Sequence, residues 1–222
     1  MRTIDAMSEN DATAEQLSPL ISAERAKTFA DAVVAIAMTL LILPLMESIS
    51  DAGGASTSAS DWFAEHDGQL FSFVLSFAII AMFWINHHRM YAHVERVSGG
   101  LLWLTMAWLL TIVWLPVATA MSSEFSDDGL LVRLVYIGSM LVTSLLMLVT
   151  RLYLRAHPDL LDADPEHLTR GLSVQLATTT LFAIALVVSL LVPATTYYPL
   201  LLLMLTAPVA RLFRPLARRR RP

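Results

Sequence analysis

Long apolar stretches, separated by short polar connections, dominate the chain from residue 25 onward. Six of these stretches come close to the roughly 20 residues that an α-helix needs to cross a bilayer. They lie at about 25–47, 68–88, 99–121, 130–152, 171–192 and 196–214. The pattern therefore predicts an all-α, polytopic membrane protein with six transmembrane helices.

Polar segments at both ends frame the apolar region and predict a single membrane domain. Residues 1–22 are polar and acidic, without the apolar run of a signal peptide, and we expect them to form a flexible cytoplasmic tail. Residues 23–214 make up the six-helix transmembrane domain, and residues 215–222 form a short basic cytoplasmic tail.

Lysine and arginine are distributed unevenly among the connections. The second and fourth connections and the stretch after Ala210 hold most of them, whereas the first connection, a Gly/Ser/Ala-rich loop, and the third and fifth connections hold none. Because cytoplasmic loops are enriched in these residues, we expect both termini in the cytoplasm of a multi-pass protein of the cell (inner) membrane. Trp62, Tyr197 and Tyr198 would then lie in the aromatic belt at the outer surface.

Composition narrows the function classes. Charged residues make up 15% of the chain, against about 25% in a typical soluble domain. The chain has no cysteine, which excludes disulfides and thiolate metal sites. It also lacks a Walker loop and the HExxH, GxSxG and Rossmann motifs, so we expect no enzyme activity, catalytic residue, metal site or cofactor. The terminal arginine run favours a topology anchor over a nucleic-acid partner.

The first span carries an acid in its second turn, within RAKTFADAVVAIAMTLLILP at residues 25–44. Each residue advances an α-helix by about 100°, so the sequence maps onto helix faces. One stripe shares the direction of Ile36 within about 40°. It consists of Phe29, Ala32, Ile36, Leu40, Leu43 and Glu47. Asp31 points about 140° away from Ile36, and Thr39 lies about 60° to one side.

Asp31 needs a polar partner within the protein, because an ionised side chain inside a membrane normally faces other protein groups. It points away from the Ile/Leu stripe, so we expect it to face the second span. The polar residues at a similar depth of that span are Asn86, His87, His88 and Arg89. A structural clamp between the two spans is the favoured interpretation, and a proton relay is the alternative.

The Ile/Leu stripe also has two interpretations. Ile and Leu at helical spacing usually pack against a neighbouring helix, but the same stripe could line a narrow conduit. Small residues flank the stripe and allow the close approach of helices that either role requires. They are Ala30, Ala32, Ala35 and Ala37. Glu47, at the end of the stripe, is either an ordinary solvated residue or, in several copies, part of a carboxylate ring that concentrates cations.

Several motifs resemble those of the transmembrane protein 175 family of organellar and bacterial potassium channels. The first-helix signature of that family is Arg, three residues, then Phe-Ser-Asp. In this chain it consists of Arg25, Phe29, Ala30 and Asp31, with alanine in place of the usual serine. The run AVVAIAMTLLILPL matches the continuation of the signature. Trp84, His87 and His88 in the second span match a second family feature, and LPVATAM in the third span resembles another.

The resemblance implies a homotetramer of six-span subunits whose first helices line a central pore. In the family a ring of Ile or Leu forms the narrowest, gating constriction, and here that role falls to Ile36, with Leu40 and Leu43 as further apolar rings. A threonine one turn above the constriction contributes to cation selectivity, which here is Thr39. The clamp would consist of Arg25, Phe29, Asp31, Trp84, His87 and His88. The family lacks the carbonyl-lined TVGYG filter, and so does this chain.

The expected function is a passive channel selective for potassium over sodium, gated by dewetting of the apolar ring, with protons as a second permeant ion. A proton-coupled transporter is the alternative; it would need ionisable groups near the midplane, and Asp31, the only deep acid, lies near one end. A redox or metal protein using His87, His88 and His93 is disfavoured, because adjacent histidines on a helix point about 100° apart. A non-conducting scaffold remains a further possibility.

Overall fold

The computed structural model describes residues 22–53, 58–125, 129–161, 165–192 and 198–219, and helices make up most of these ranges. The α-helices within them are Ala23–Leu40 (α1), Leu43–Gly53 (α2), Ala59–Glu65 (α3), Asp67–Tyr91 (α4), Gly99–Glu124 (α5), Gly129–Ala156 (α6), Pro165–Leu191 (α7) and Thr206–Arg219 (α8). Two 3-10 helices span Pro158–Leu160 and Tyr198–Leu205. Five helical stretches in this part of the chain are long and apolar enough to cross a membrane, which confirms the all-α, multi-pass architecture.

The first span begins at a capped end and is interrupted two-thirds of the way along. The Ser22 hydroxyl accepts a hydrogen bond from the Arg25 backbone N–H at 3.4 Å, which satisfies one of the free donors at the start of α1. The predicted continuous helix is broken at residues 41–42, between α1 and α2. Pro44 explains the break, because it has no N–H to donate to the carbonyl of Leu40. The chain tightens instead, and the Ile42 N–H bonds the Thr39 carbonyl at 3.3 Å.

The first connection differs from the predicted loop, since much of it is helical. α2 continues to Gly53, and α3 follows from Ala59, capped by the Ser58 hydroxyl. Trp62 of α3 is buried within the subunit. Its indole N–H donates to the Ser48 carbonyl at 3.3 Å and its ring stacks on His66, so α3 is fastened to α2.

The described part of the sixth apolar segment combines two kinds of helix. Its apolar part covers Tyr198–Phe213, with a 3-10 helix as far as Leu205 and α8 beyond it. A 3-10 helix rises about 2.0 Å per residue and an α-helix about 1.5 Å. The segment is therefore about 28 Å long, close to the ~30 Å hydrocarbon thickness of a bilayer, despite having fewer residues than an α-helical span.

Parts of the predicted tails and connections lie outside the described residues. These are residues 1–21 and 220–222 of the two tails, and residues 54–57, 126–128, 162–164 and 193–197 of the connections, the last of which include Tyr197. Of the predicted tail residues that are described, Ser22 caps α1, and α8 continues past residue 214 to Arg219.

The bundle has α1 at one side, packed on α4 and α5, while α5, α6, α7 and α8 pack one against the next. The core between them contains large side chains with almost no exposed surface, and the rings of Phe83 and Phe182 stack at 5.5 Å, joining α4 to α7. At one end of the bundle the second and fourth connections meet. Val94 and Leu161 form a single antiparallel bridge, and the Glu95 N–H bonds the Leu160 carbonyl at 3.1 Å.

The small residues of α1 generate a prediction about stability. Ala37 is 0% exposed in the core, so a leucine there would overpack the contact of α1 with the bundle. We expect Ala37→Leu to destabilise the protein by about 1–3 kcal/mol, measured as a lower melting temperature in detergent. Ala78→Leu is the matched control, because Ala78 is exposed on α4. Equal losses in the two variants would show that the buried face of α1 is not tightly packed.

Candidate functional site

The two faces of α1 have opposite environments within the subunit. One face consists of small or medium side chains that are all buried against the bundle: Ala23, Ala26, Ala30, Val34 and Ala37. Leu41 and Leu45 continue this buried face through the break. Because four of the five residues on the α1 face are alanines, the backbone of α1 lies close to its neighbours, α4 and α5.

The opposite face carries the Ile/Leu stripe, and the subunit leaves all of it exposed. Its members are Phe29, Ala32, Ile36, Leu40, Leu43 and Glu47. Ile36 is 59% exposed and Leu43 is 49% exposed, which are high values for large apolar side chains. A row of this kind within a membrane-spanning segment faces either lipid or a second protein surface.

Thr39 lies beside the stripe and is exposed. Its hydroxyl donates to the Ile36 carbonyl at 2.7 Å, as threonines on helices commonly do. Since the proton of the hydroxyl is used within the helix, the oxygen presents its lone pairs outward as an acceptor. A cation that passes this face would therefore meet an oxygen ligand one turn from Ile36.

Asp31 is anchored on the second span, but its partner is an indole. The Trp84 Nε1–H donates to Asp31 Oδ1 at 2.8 Å, linking α1 to α4. The ring of His88 lies against Trp84 with centroids 5.7 Å apart. A hollow next to this contact is lined by residues that include Glu24, Lys27, Asp31, His87 and His88. The carboxylate thus lies among polar groups at one end of the span.

His87 is held by aromatic rings. It is buried, and its ring stacks on Trp108 at 4.1 Å and on Tyr91 at 4.2 Å. Its Nε2 has no hydrogen-bond partner. The sequence pointed to His87 but not to the two rings that hold it. Trp108 comes from α5, and Tyr91 lies one turn further along α4. The histidine and tyrosine are four residues apart on one helix, and that spacing was the available signal.

Two residues of the predicted clamp lie elsewhere. Arg25 and Phe29 are exposed, and Phe29 belongs to the uncovered face of α1. The reason is helical geometry, because Phe29 and Asp31 point about 160° apart on the helix. Within one subunit the contacts around Asp31 therefore involve Trp84 and His88, and they leave out Arg25 and Phe29.

A second polar cluster, which the sequence did not reveal, ties three spans together in the core. The Ser76 and Tyr136 hydroxyls lie 2.7 Å apart, and the Thr119 hydroxyl donates to Ser76 at 2.9 Å. These residues belong to α4, α6 and α5. In the described part of the chain, no group of three or more His, Asp or Glu side chains is placed to hold a metal ion.

Comparison with known proteins bears on this site. A family model described as "Endosomal/lysosomal potassium channel TMEM175" matches residues 25–116, from the first turn of α1 to Pro116 in α5. This segment belongs to the TMEM175 family. The resemblance seen in the sequence is thereby confirmed, and the TMEM175-family segment contains both faces of α1 and the Asp31–Trp84 contact.

Relatives of known name match about half of the chain. A potassium channel from Streptomyces collinus is 34% identical over 103 residues, which cover 46% of this chain and 48% of that protein. A potassium channel from Chamaesiphon minutus is 31% identical over 105 residues, covering 46% and 49%. The endosomal/lysosomal proton channel TMEM175 of Gallus gallus is 30% identical over 118 residues, covering 51% and 24%. The match therefore spans about half the length of the bacterial relatives.

The shared fold extends beyond the TMEM175-family segment. The crystal structure of a lysosomal potassium-selective channel TMEM175 homolog from Chamaesiphon minutus superposes with a TM-score of 0.62. The superposition covers 88% of this chain and 95% of that one, at 21% identity. The helices after residue 116 thus follow the same arrangement, although the family model does not match their sequence.

The Asp31–Trp84 hydrogen bond gives a direct test of the structural role of the acid. We expect Trp84→Phe and Asp31→Ala each to lower the melting temperature in detergent. In a double-mutant cycle the two changes should couple by about 1 kcal/mol, the scale of hydrogen bonds between membrane helices. Trp114→Phe, which removes another indole donor, is the control, because the Trp114 N–H bonds Ser139 at 2.9 Å and not Asp31. Additive losses at residues 31 and 84 would argue against a clamp.

Proposed function

We propose that the protein is a passive cation channel, selective for potassium over sodium, that assembles as a homotetramer with α1 of each subunit lining a central pore. The observation that carries the proposal is the uncovered face of α1, whose large apolar side chains lie within the segment that the family model matches. One subunit supplies one stripe of this kind, and a closed conduit needs several copies around an axis. The names of the relatives, which are potassium or proton channels, support the same interpretation.

The proposed gate is the apolar ring at Ile36, with Leu40 and Leu43 above it. Hydrocarbon cannot replace the hydrogen bonds that water loses in a narrow passage, so the ring closes by dewetting without a separate lid. An ion then meets a barrier that comes from its own desolvation. Conduction requires the ring to widen enough for a partly hydrated ion.

The proposed selectivity rests on oxygen atoms near that ring. Thr39 offers an acceptor oxygen beside the passage, and Glu47 would place a carboxylate ring at its far mouth. Carboxylates concentrate cations and repel anions. Because an ion that keeps part of its hydration shell is harder to sort by size, we infer weaker discrimination than a carbonyl-lined filter provides.

The remaining features complete the proposal. Asp31 holds α1 to α4 and takes no direct part in permeation. Potassium is the permeant ion, with protons as a second one, and the channel needs no resident cofactor. The basic second and fourth connections meet at one end of the bundle through Val94 and Leu161, which supports placing both of them, and both termini, in the cytoplasm.

Reconstitution into planar bilayers with opposed potassium and sodium gradients tests the function. A potassium-selective channel gives a reversal potential closer to that of potassium than to that of sodium, and proton permeation adds a smaller shift when a pH gradient is imposed. A proton-coupled transporter instead shows potassium flux that depends on the proton gradient and saturates. Absence of current at any gradient would reject the channel, and absence of proton-dependent potassium flux into liposomes would reject the transporter.

The gate assignment predicts the effect of wetting the ring. Ile36→Asn places hydrogen-bonding side chains at the narrowest point, so we expect open probability to rise at least about tenfold, equivalent to roughly 1.4 kcal/mol. Discrimination against sodium should fall. Val74→Asn is the control, since Val74 on α4 is 61% exposed and Ile36 is 59% exposed. Single-channel recording decides between them, and an equal or larger effect at Val74 would mean that α1 is not the pore-lining helix.

The tetramer prediction can be tested by cross-linking, because the chain contains no cysteine. A single Ile36→Cys substitution should form disulfide-linked dimers under mild oxidation in membranes, since copies of the stripe meet at the axis. Val74→Cys, with similar exposure, should give far less. Native mass spectrometry of the unmodified protein in mild detergent should show four subunits. A monomer that still conducts would contradict the proposal.

A further inference from the structure

A basic cavity of about 200 Å³ lies where α4, α6 and α7 come together, at the end of the bundle that holds the second and fourth connections. It is far larger than the roughly 10–15 Å³ that one water molecule needs. Four of its described lining residues are basic: Arg89, His93, Arg151 and Arg170. The described lining contains no aspartate or glutamate. No residue of the exposed stripe of α1 is among its described lining residues.

Arg151 makes this cavity more than a cluster of surface charges. It lies on α6 five residues before the helix ends, and its Nε is shielded from solvent and has no hydrogen-bond partner. Its guanidinium rests against Gly171 of α7, where an added Cβ would collide with it. A buried charged group with an unmet donor is strongly unfavourable unless an acceptor reaches it. The position therefore favours an anion within the cavity.

The surrounding groups suit one class of anion. Arg89 and Arg170 are exposed at the rim, while Arg151 is mostly buried, so the guanidinium groups surround the space at different depths. Guanidinium forks bind phosphate and carboxylate oxygens through paired hydrogen bonds. The remaining wall includes Met90, Leu154 and Val174, an apolar surface that a free ion does not need.

We propose that this cavity binds a phosphate group, held by Arg89, Arg151 and Arg170, as the headgroup of an anionic phospholipid or as free phosphate. Basic pockets between membrane helices on the cytoplasmic side are well suited to anionic headgroups. The apolar wall and the location at the ends of three spans fit a lipid in particular. The inference does not depend on the channel function, because the cavity is built by helices other than α1.

Thermal melting of the purified protein in neutral detergent tests the site. Four additions are compared: phosphatidylglycerol, phosphatidylcholine, sodium phosphate, and sodium chloride at the same ionic strength as the phosphate. We expect phosphatidylglycerol to raise the melting temperature in a concentration-dependent way and phosphatidylcholine to do so far less. A rise with phosphatidylglycerol alone identifies a lipid headgroup, and a rise with sodium phosphate as well identifies a site open to free phosphate.

Two variants and a control make the result specific. Arg89→Gln combined with Arg170→Gln changes only exposed side chains, and it should weaken the lipid dependence at least tenfold. Arg151→Met should abolish the shift while leaving the protein at least as stable without lipid, since it removes a poorly solvated charge. Arg96→Gln, an exposed arginine outside the cavity, should behave as wild type. An unchanged shift in the Arg89/Arg170 variant, or no shift in wild type with either ligand, overturns the proposal.

Discussion

The close contact of α1 with α4 and α5, made through alanine side chains, is the interaction on which the rest of the site depends. Within a membrane, lipid and protein are equally apolar, so helices associate through tight packing and hydrogen bonds. Small residues on one face of α1 allow that packing, and the large residues are consequently turned to the other face. The uncovered stripe at Ile36 and Leu43 is thus the geometric counterpart of the buried alanines, and the proposed assembly would use a surface that the subunit's own fold leaves open.

Hydrogen bonds fix the register that packing alone would leave loose. Unpaired polar groups are unfavourable in hydrocarbon, and several polar side chains of the spans accordingly pair across helices. Asp31 is held by Trp84, and Ser76 is held by Tyr136 and Thr119. All three contacts involve α4, so a shift of α4 along its neighbours by one turn would break them together.

Hydropathy predicted the number and order of the apolar segments because the bilayer imposes a length on each span. Helical periodicity likewise separated Ile36 from Asp31, since direction around a helix depends only on sequence spacing. The break at residues 41–42 was missed although Pro44 was visible, because a proline near the end of a span is compatible with either a kink or a new helix. The stacking of His87 on Trp108 and the cavity around Arg151 depend on which helices become neighbours, and that is not encoded in any local pattern.

The interruption at residues 41–42 divides the first span into two arms with separate attachments. The N-terminal arm is fixed at Asp31, and the C-terminal arm is fixed near Ser48, whose hydroxyl bonds Gln69 at 3.1 Å. Between these attachments no helical hydrogen-bond ladder runs straight through. A change in the angle between the arms would move Leu40 and Leu43 relative to each other while both attachments stay intact. The break is therefore placed as a hinge between Leu40 and Leu43, two of the side chains that would narrow the proposed pore.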